Sequence, residues 1–343
     1  MNESAHSPVL VADVGGTNLN LALLVQEQGR YRMLHKARYR TQEEGSMAAP
    51  VRRFLAEFPG IRPQRACLAA AGPVRQGRIA LTNAPWDLDG PALEKELGFP
   101  VRLVNDFRAL ACGVLLLDPA DPGQAKALPH GDGSIPTPDP SGVVLVVGAG
   151  TGLGVGFVVP TAQGPRVFPS EGGHIGLPVF DEDSLAFWQF AAASLPGPPG
   201  AEVAVCGQGL VRLLRFLLET ERVPRTPAAT AILALPSADQ PAAVSARASE
   251  DPACARAMAL FLAFYARVAA GLCAAFLPSG GIFLAGGIAA KNSTHFLGGG
   301  FMAAFERNDK PHLDRLTRGT PVVLVQDYDL SLYGAAHAPS CMD

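Results

Sequence analysis

The chain predicts an α/β protein of two lobes built by internal duplication, and three observations carry that reading. Its 343 residues exceed the roughly 250–300 at which one hydrophobic core stops growing. Two stretches, Val9 to Val25 and Val143 to Val159, repeat one layout of strand, glycine turn and strand. Around them, stretches with helical spacing of apolar residues alternate with short buried strands.

Taken in order, the first hairpin turns at Gly15 and Gly16 and its second strand runs from Leu19 to Val25. Met47 to Phe58 has helical spacing, and Ala66 to Ala71 is a buried strand ended by Gly72 and Pro73. A short helix from Leu93 to Leu97 precedes the strand Val101 to Val104, which delivers Asn105 and Asp106 at its C-terminal end, where α/β folds place ligands. Leu128 to Ser141 is rich in Pro, Gly, Asp and Ser and reads as an exposed connection; its composition assigns it no role. After the second hairpin and the loop Pro196 to Gly200, helices are expected over Leu210 to Leu218 and Ala255 to Phe276, then a strand from Ile282 to Ala285. The final strand, Val322 to Gln326, and Leu330 to His337 are expected to pack back on the first lobe. The resulting division is a small α/β domain of residues 1–116 plus 322–343 and a large one of 117–321.

Composition narrows the function. A formal net charge of −3 and the lack of any Lys/Arg-rich block argue against nucleic acid as a partner. The six cysteines are widely spaced, without a CxxC pair, and read as reduced core residues of a cytoplasmic protein. No basic n-region precedes the first apolar stretch, so no export signal is expected. The two uncharged runs, Val143–Val159 and Val268–Ala290, are broken by glycine or by Pro278 to Gly281, and a spanning helix would not tolerate such clusters at its centre. They read as buried strand and helix pieces, with no membrane partner.

The chemistry concentrates in the glycine turns. Asp13-Val14-Gly15-Gly16-Thr17-Asn18 sets a carboxylate at a strand end beside two permissive glycines, a hydroxyl and an amide, so that backbone N–H groups can face a phosphate. Alone, such a turn is simply a hairpin turn, and it lacks the lysine of a Walker loop. The run Gly148 to Gly154 fails the dinucleotide fingerprint because Leu153 occupies the third glycine position. Together, DVGGTN and GAGTGLG in successive lobes can clamp a polyphosphate from both sides.

This pairing, followed by the glycine-flanked strand GGIFLAGGI at Gly280 to Ile288, resembles the actin, sugar kinase and heat-shock ATPase superfamily. Within it the chain is similar to the bacterial glucokinase family. LVADVGGTN, LTNAPW at Leu81 to Trp86, LVNDF at Leu103 to Phe107, VGAGTGLGVG at Val147 to Gly156, EGGH at Glu171 to His174 and LAGGI occur in family order over nearly the whole chain. No cysteine cluster stands beside His174, so the resemblance is to the zinc-free type. The chain departs from the family at Asn20, where an arginine is frequent, and at Cys206-Gly207-Gln208-Gly209, where a Ser-Gly-Pro-Gly stretch is usual.

The resemblance implies a two-lobed actin-like ATPase (ribonuclease H-like) fold, with duplicated mixed-sheet domains around a cleft that closes on the sugar. It further implies ATP-dependent phosphorylation of D-glucose to glucose 6-phosphate, with Asp106 as general base. Asn105, Glu171, His174 and Glu202 would hold the sugar hydroxyls with Asp106. Gly15, Gly16, Thr17, Asn18, Gly150, Thr151 and Gly152 would face the phosphates, Gly286 and Gly287 the adenosine, and Asp13 would orient Mg²⁺ through water. A homodimer is expected, since dimers are the commonest assembly.

Read without the family, Asp106 would be a helix N-cap, Glu202 an exposed acid opening a helix, and Glu171 with His174 an E-x-x-H metal pair. Gly172 and Gly173 argue against the helix that such a pair needs. Other functions on the same fold are a non-catalytic sugar sensor, disfavoured by the eight residues before the first strand, and an actin-like or chaperone-like ATPase, which has no use for Asn105, Asp106 or EGGH. Another hexose, or ADP or polyphosphate as donor, stays open at this level.

Overall fold

The computed structural model describes residues 7–81, 84–118 and 121–341; Thr82 and Asn83 of the LTNAPW motif lie outside them. The chain divides into two compact units, Met1–Asp118, Thr161–Phe168 and Tyr328–Asp343 forming one, Pro119–Pro160 and Pro169–Asp327 the other.

The first unit is built on a five-stranded sheet of β1 (Val9–Val14), β2 (Asn18–Glu27), β3 (Arg30–Arg40), β4 (Arg65–Ala70) and β5 (Val101–Asn105), in the order β3-β2-β1-β4-β5. β1 is central, antiparallel to β2 and parallel to β4, so its VLVADV run is nearly all buried, as an interior strand requires. β3 is an edge strand whose charged residues alternate with half-buried ones. One face of the sheet is covered by α1 (Ala48–Ala56), with Val51 and Phe54 fully buried. α2 (Gly90–Leu97) starts at Asp89, whose side chain accepts the Ala92 N–H, and stops at Gly98 with φ 80°.

The second unit is built on a six-stranded sheet of β6 (Ala125–Ala127), β7 (Val144–Ala149), β8 (Leu153–Val159), β9 (Arg166–Ser170), β10 (Gly281–Ala285) and β11 (Val322–Val325), in the order β9-β8-β7-β10-β11-β6; of β9, Pro169 and Ser170 belong to the unit. Its strands β8-β7-β10-β11 repeat the first sheet's β2-β1-β4-β5 plan of one antiparallel pair followed by two parallel ones, so the duplication read from the two hairpins extends into the sheets. The final strand corrects the expectation. β11 pairs in parallel with β10, Ile282 opposite Val322, and does not return to the first sheet. Its VVLV run is buried between two neighbours, a better site for continuous apolar sequence than an edge. Only the following helix, Leu330–His337, stays with the first unit, so the division falls after Asp327 rather than before Val322.

Pro252–Phe276 is long and apolar enough to cross a membrane, but it is the central helix of the second unit's core, with Phe261, Phe264 and Tyr265 fully buried. The Tyr265 hydroxyl donates to the Val147 carbonyl at 2.8 Å, giving its one polar atom a partner. All six cysteines are free and buried.

Candidate active site

In the first unit, the strand-to-helix junction after β5 concentrates polar groups. Asn105, not Asp106, is the N-cap of helix Asp106–Val114: its side-chain oxygen accepts the Arg108 N–H at 3.0 Å. Its amide donates to the Gly72 carbonyl at 3.2 Å and to Asp106 Oδ1 at 3.1 Å. Asp106 Oδ1 also accepts the Phe107 N–H at 2.8 Å, and no described residue donates to Oδ2. Burial pushes the Asp106 carboxyl above the ordinary carboxylate range, against the Phe107 N–H, which favours its charged form. The half-buried carboxylate is thus oriented by one oxygen, with the other left for a ligand.

Asp13, at the end of β1, is held by the Ser331 hydroxyl, which donates to Oδ2 at 2.8 Å. Burial raises its pKa, the Ser331 bond opposes this, and the neighbouring Asp106 adds to the rise. Lys36 on β3 tempers it while itself ion-paired to Asp329. Ser331, Lys36 and Asp329 were not foreseen; Ser331 lies 318 positions from Asp13, and no local pattern links them.

The first glycine turn is braced from the end of β3. Thr41 Oγ1 donates to the Gly15 carbonyl at 2.6 Å and Gln42 Nε2 to that of Gly16 at 3.1 Å, while the Thr41 N–H reaches Thr17. Gly15 spends its own N–H on the Asn18 carbonyl at 2.9 Å. Gly15 therefore closes the turn, and the Gly16 and Thr17 N–H groups are without an acceptor among the described residues.

The second turn repeats the device. Gly150 donates to the Gly152 carbonyl at 2.8 Å and accepts from the Gly207 N–H at 2.9 Å, so it too closes a turn, and the Thr151 and Gly152 N–H groups remain. Glu202, on the short turn Ala201–Val203, accepts the Leu153 N–H through Oε2 at 2.7 Å. A Cβ on Gly152 would stand 2.5 Å from that oxygen, so any larger residue there would push the Glu202 carboxylate off the hairpin.

Glu171 and His174 lie at the ends of a single 3₁₀ turn, Gly172–His174, where a loop was expected; the His174 N–H closes it on the Glu171 carbonyl. The side chains are exposed and 3.7 Å apart, Nε2 to Oε2, so this ion pair contributes little stability. Gly173 lies directly on the Leu153 carbonyl, where any Cβ would overlap it, and the Ala201 N–H donates to the Ile175 carbonyl at 2.7 Å. Leu153 therefore joins the EGGH turn, the Glu202 turn and the second glycine turn. Among the described residues no group of three or more His, Cys, Asp or Glu could hold a metal ion, so the E-x-x-H pair recruits no further ligand.

Gly286 has φ 89°, and a Cβ there would stand 2.6 Å from the Ala149 carbonyl oxygen, so only glycine lets β10 end beside β7. Gly287 opens the helix Gly287–Lys291. The candidate residues thus form two groups: Asp13, Gly15–Asn18, Asn105 and Asp106 in the first unit; Gly150–Gly152, Glu171, His174, Glu202, Gly286 and Gly287 in the second.

The glucokinase family model matches residues 10–341. A glucokinase of Sinorhizobium medicae is 32% identical over 98% of this chain and 93% of its own length, and one of Rhizobium meliloti is 33% identical over 98% and 94%. The crystal structure of a glucokinase from an Antarctic psychrotroph, 27% identical, superposes with a TM-score of 0.78 over 96% of this chain and 98% of that one. The match runs over nearly the whole chain, which belongs to the glucokinase family.

Proposed function

We propose that this chain transfers the γ-phosphoryl group of ATP to the 6-hydroxyl of D-glucose, with Asp106 as general base. The carrying observation is the Asp106 carboxylate, desolvated, fixed through Oδ1 and open at Oδ2. As the sugar oxygen attacks the γ-phosphorus in line, its proton passes to Oδ2 and the bond to the β-phosphate bridging oxygen breaks. Asn105 fixes the base and faces the sugar with Glu171 and His174. Glu202 shares in this through Oε1, its other oxygen being held by Leu153.

The Gly16, Thr17, Thr151 and Gly152 N–H groups and the Thr17 and Thr151 hydroxyls receive the phosphates, and Gly286 and Gly287 the adenosine. Asp13 fits a Mg²⁺ held through water: it is a half-buried carboxylate whose hydrogen-bond partner among the described residues is one hydroxyl, with the Asp106 carboxylate as a neighbour. When bound with the nucleotide, Mg²⁺ neutralises charge on the transferring group. A cytoplasmic homodimer is the assembly we propose.

Kinetics of four variants test the assignment. Glu171→Gln and His174→Ala are expected to lower kcat/KM for glucose while leaving nucleotide affinity near wild type; Thr17→Ala and Thr151→Ala are expected to do the converse. Unchanged glucose kinetics in the first pair, or unchanged nucleotide affinity in the second, would remove those turns from their roles.

A further inference from the structure

On the first sheet one row runs Asp13, Asn20, Arg38 across β1, β2 and β3, each directly opposite the next in the ladder. Residues opposed in this way point to the same face, so Arg38 stands about 10 Å from Asp13, two strand spacings away. On β3 the same face carries Lys36 and Arg40, each two positions from Arg38. Lys36 is paired to Asp329, and Arg40 lies 3.7 Å from Glu43. Arg38 is different. Its Nε donates to Asn18 Oδ1 at 3.0 Å, and no carboxylate pairs with it among the described residues. Asn18 closes the first glycine turn through its carbonyl, so this bond lays an exposed guanidinium along that turn and leaves both Nη groups available.

We propose that Arg38 is a phosphate-binding residue for the nucleotide, delivered from β3 to a turn beside which β2 itself carries only the uncharged Asn18 and Asn20. The inference rests on the function proposed above. A guanidinium already held by one N–H offers two further donors in a fixed plane, which suits a phosphate's paired oxygens better than an ammonium does. Asn20 supplies no charge at the adjacent position. The cross-strand pair therefore places on β3 a cation that could equally have stood on β2, which makes the exchange of the two residues a direct test.

Binding of ATP with Mg²⁺, and of adenosine, is measured by calorimetry on the full chain. Arg38→Ala is expected to raise the ATP Kd about tenfold, the scale of one charge-assisted contact, and to leave the adenosine Kd within about twofold. The double exchange Asn20→Arg with Arg38→Asn is expected to recover ATP affinity to within about threefold of wild type. An ATP Kd in Arg38→Ala within about twofold of wild type, or an equal loss for adenosine, would overturn the proposal. If Arg38→Ala does not fold, Arg38→Gln, which keeps an N–H for Asn18, is read by the same criteria. Failure of the wild-type chain to phosphorylate any hexose would instead sink the proposed function, and the ATP affinities would still decide the role of Arg38.

Discussion

Asp106→Ala is expected to lower kcat by at least about 10²-fold while glucose still binds, because a positioned general base supplies about 10² to 10⁴. Asp106→Asn sharpens the test. An amide oxygen at Oδ1 keeps the bonds from the Phe107 N–H and the Asn105 amide, so the junction survives and only the basic oxygen is lost. The carboxyl's raised pKa fixes the sign of the stability effect. Above its ordinary unfolded value of about 3.9 the folded state still holds a proton that the unfolded state has released, so its stabilising contribution is present at low pH and lost as pH rises through the folded value. At neutral pH the buried charge is a net cost. Asp106→Asn should therefore be nearly inactive yet unfold no more easily than wild type at pH 7 by chemical denaturation. Near wild-type kcat in either variant would remove Asp106 from its role.

Gly334→Ala carries the largest expected effect on stability. Helix Leu330–His337 crosses helix Asp106–Val114 at Gly334 and Gly113, and a Cβ on Gly334 would overlap the Ala109 carbonyl oxygen and stand 2.6 Å from the Gly113 nitrogen. Both obstacles are backbone, which cannot swing aside, so the helices must separate. A loss at or beyond the upper end of the usual overpacking range, about 3 kcal/mol, is expected from denaturant midpoints. Ser331 precedes Gly334 by about one turn in the same helix, so the shift would also draw its hydroxyl from Asp13. Gly271→Ala is the control. It lies in the helix Pro252–Phe276, where a Cβ meets nothing within 4 Å, and is expected to gain about 0.5–1 kcal/mol. Equal stability of Gly334→Ala and wild type would contradict the close crossing.

What the sequence disclosed was local. The two hairpins, the helix ending at Phe276 and the strand that delivers Asn105 are written in short-range patterns of apolar residues and glycine, and all were legible. β3 was missed because its charged residues, from Arg30 to Arg40, obscure the alternation of an edge strand with one wet face. The partner of Val322–Val325 was misplaced because parallel pairing across a helical crossover leaves no mark in either strand. The same limit hid Ser331, Thr41 and Gln42, whose bonds to Asp13 and the first turn link distant positions. Which glycine N–H groups stay available depends on turn geometry, which composition does not encode: Gly15 and Gly150 spend theirs closing the turns, and Gly16 and Gly152 keep theirs.

The central claim is that two glycine turns and one desolvated carboxylate serve phosphoryl transfer from ATP to glucose. A coupled assay offering a panel of hexoses with ATP, ADP or polyphosphate tests it most directly. Glucose-dependent turnover with ATP is the predicted result; equal ATP turnover with and without every sugar would contradict it.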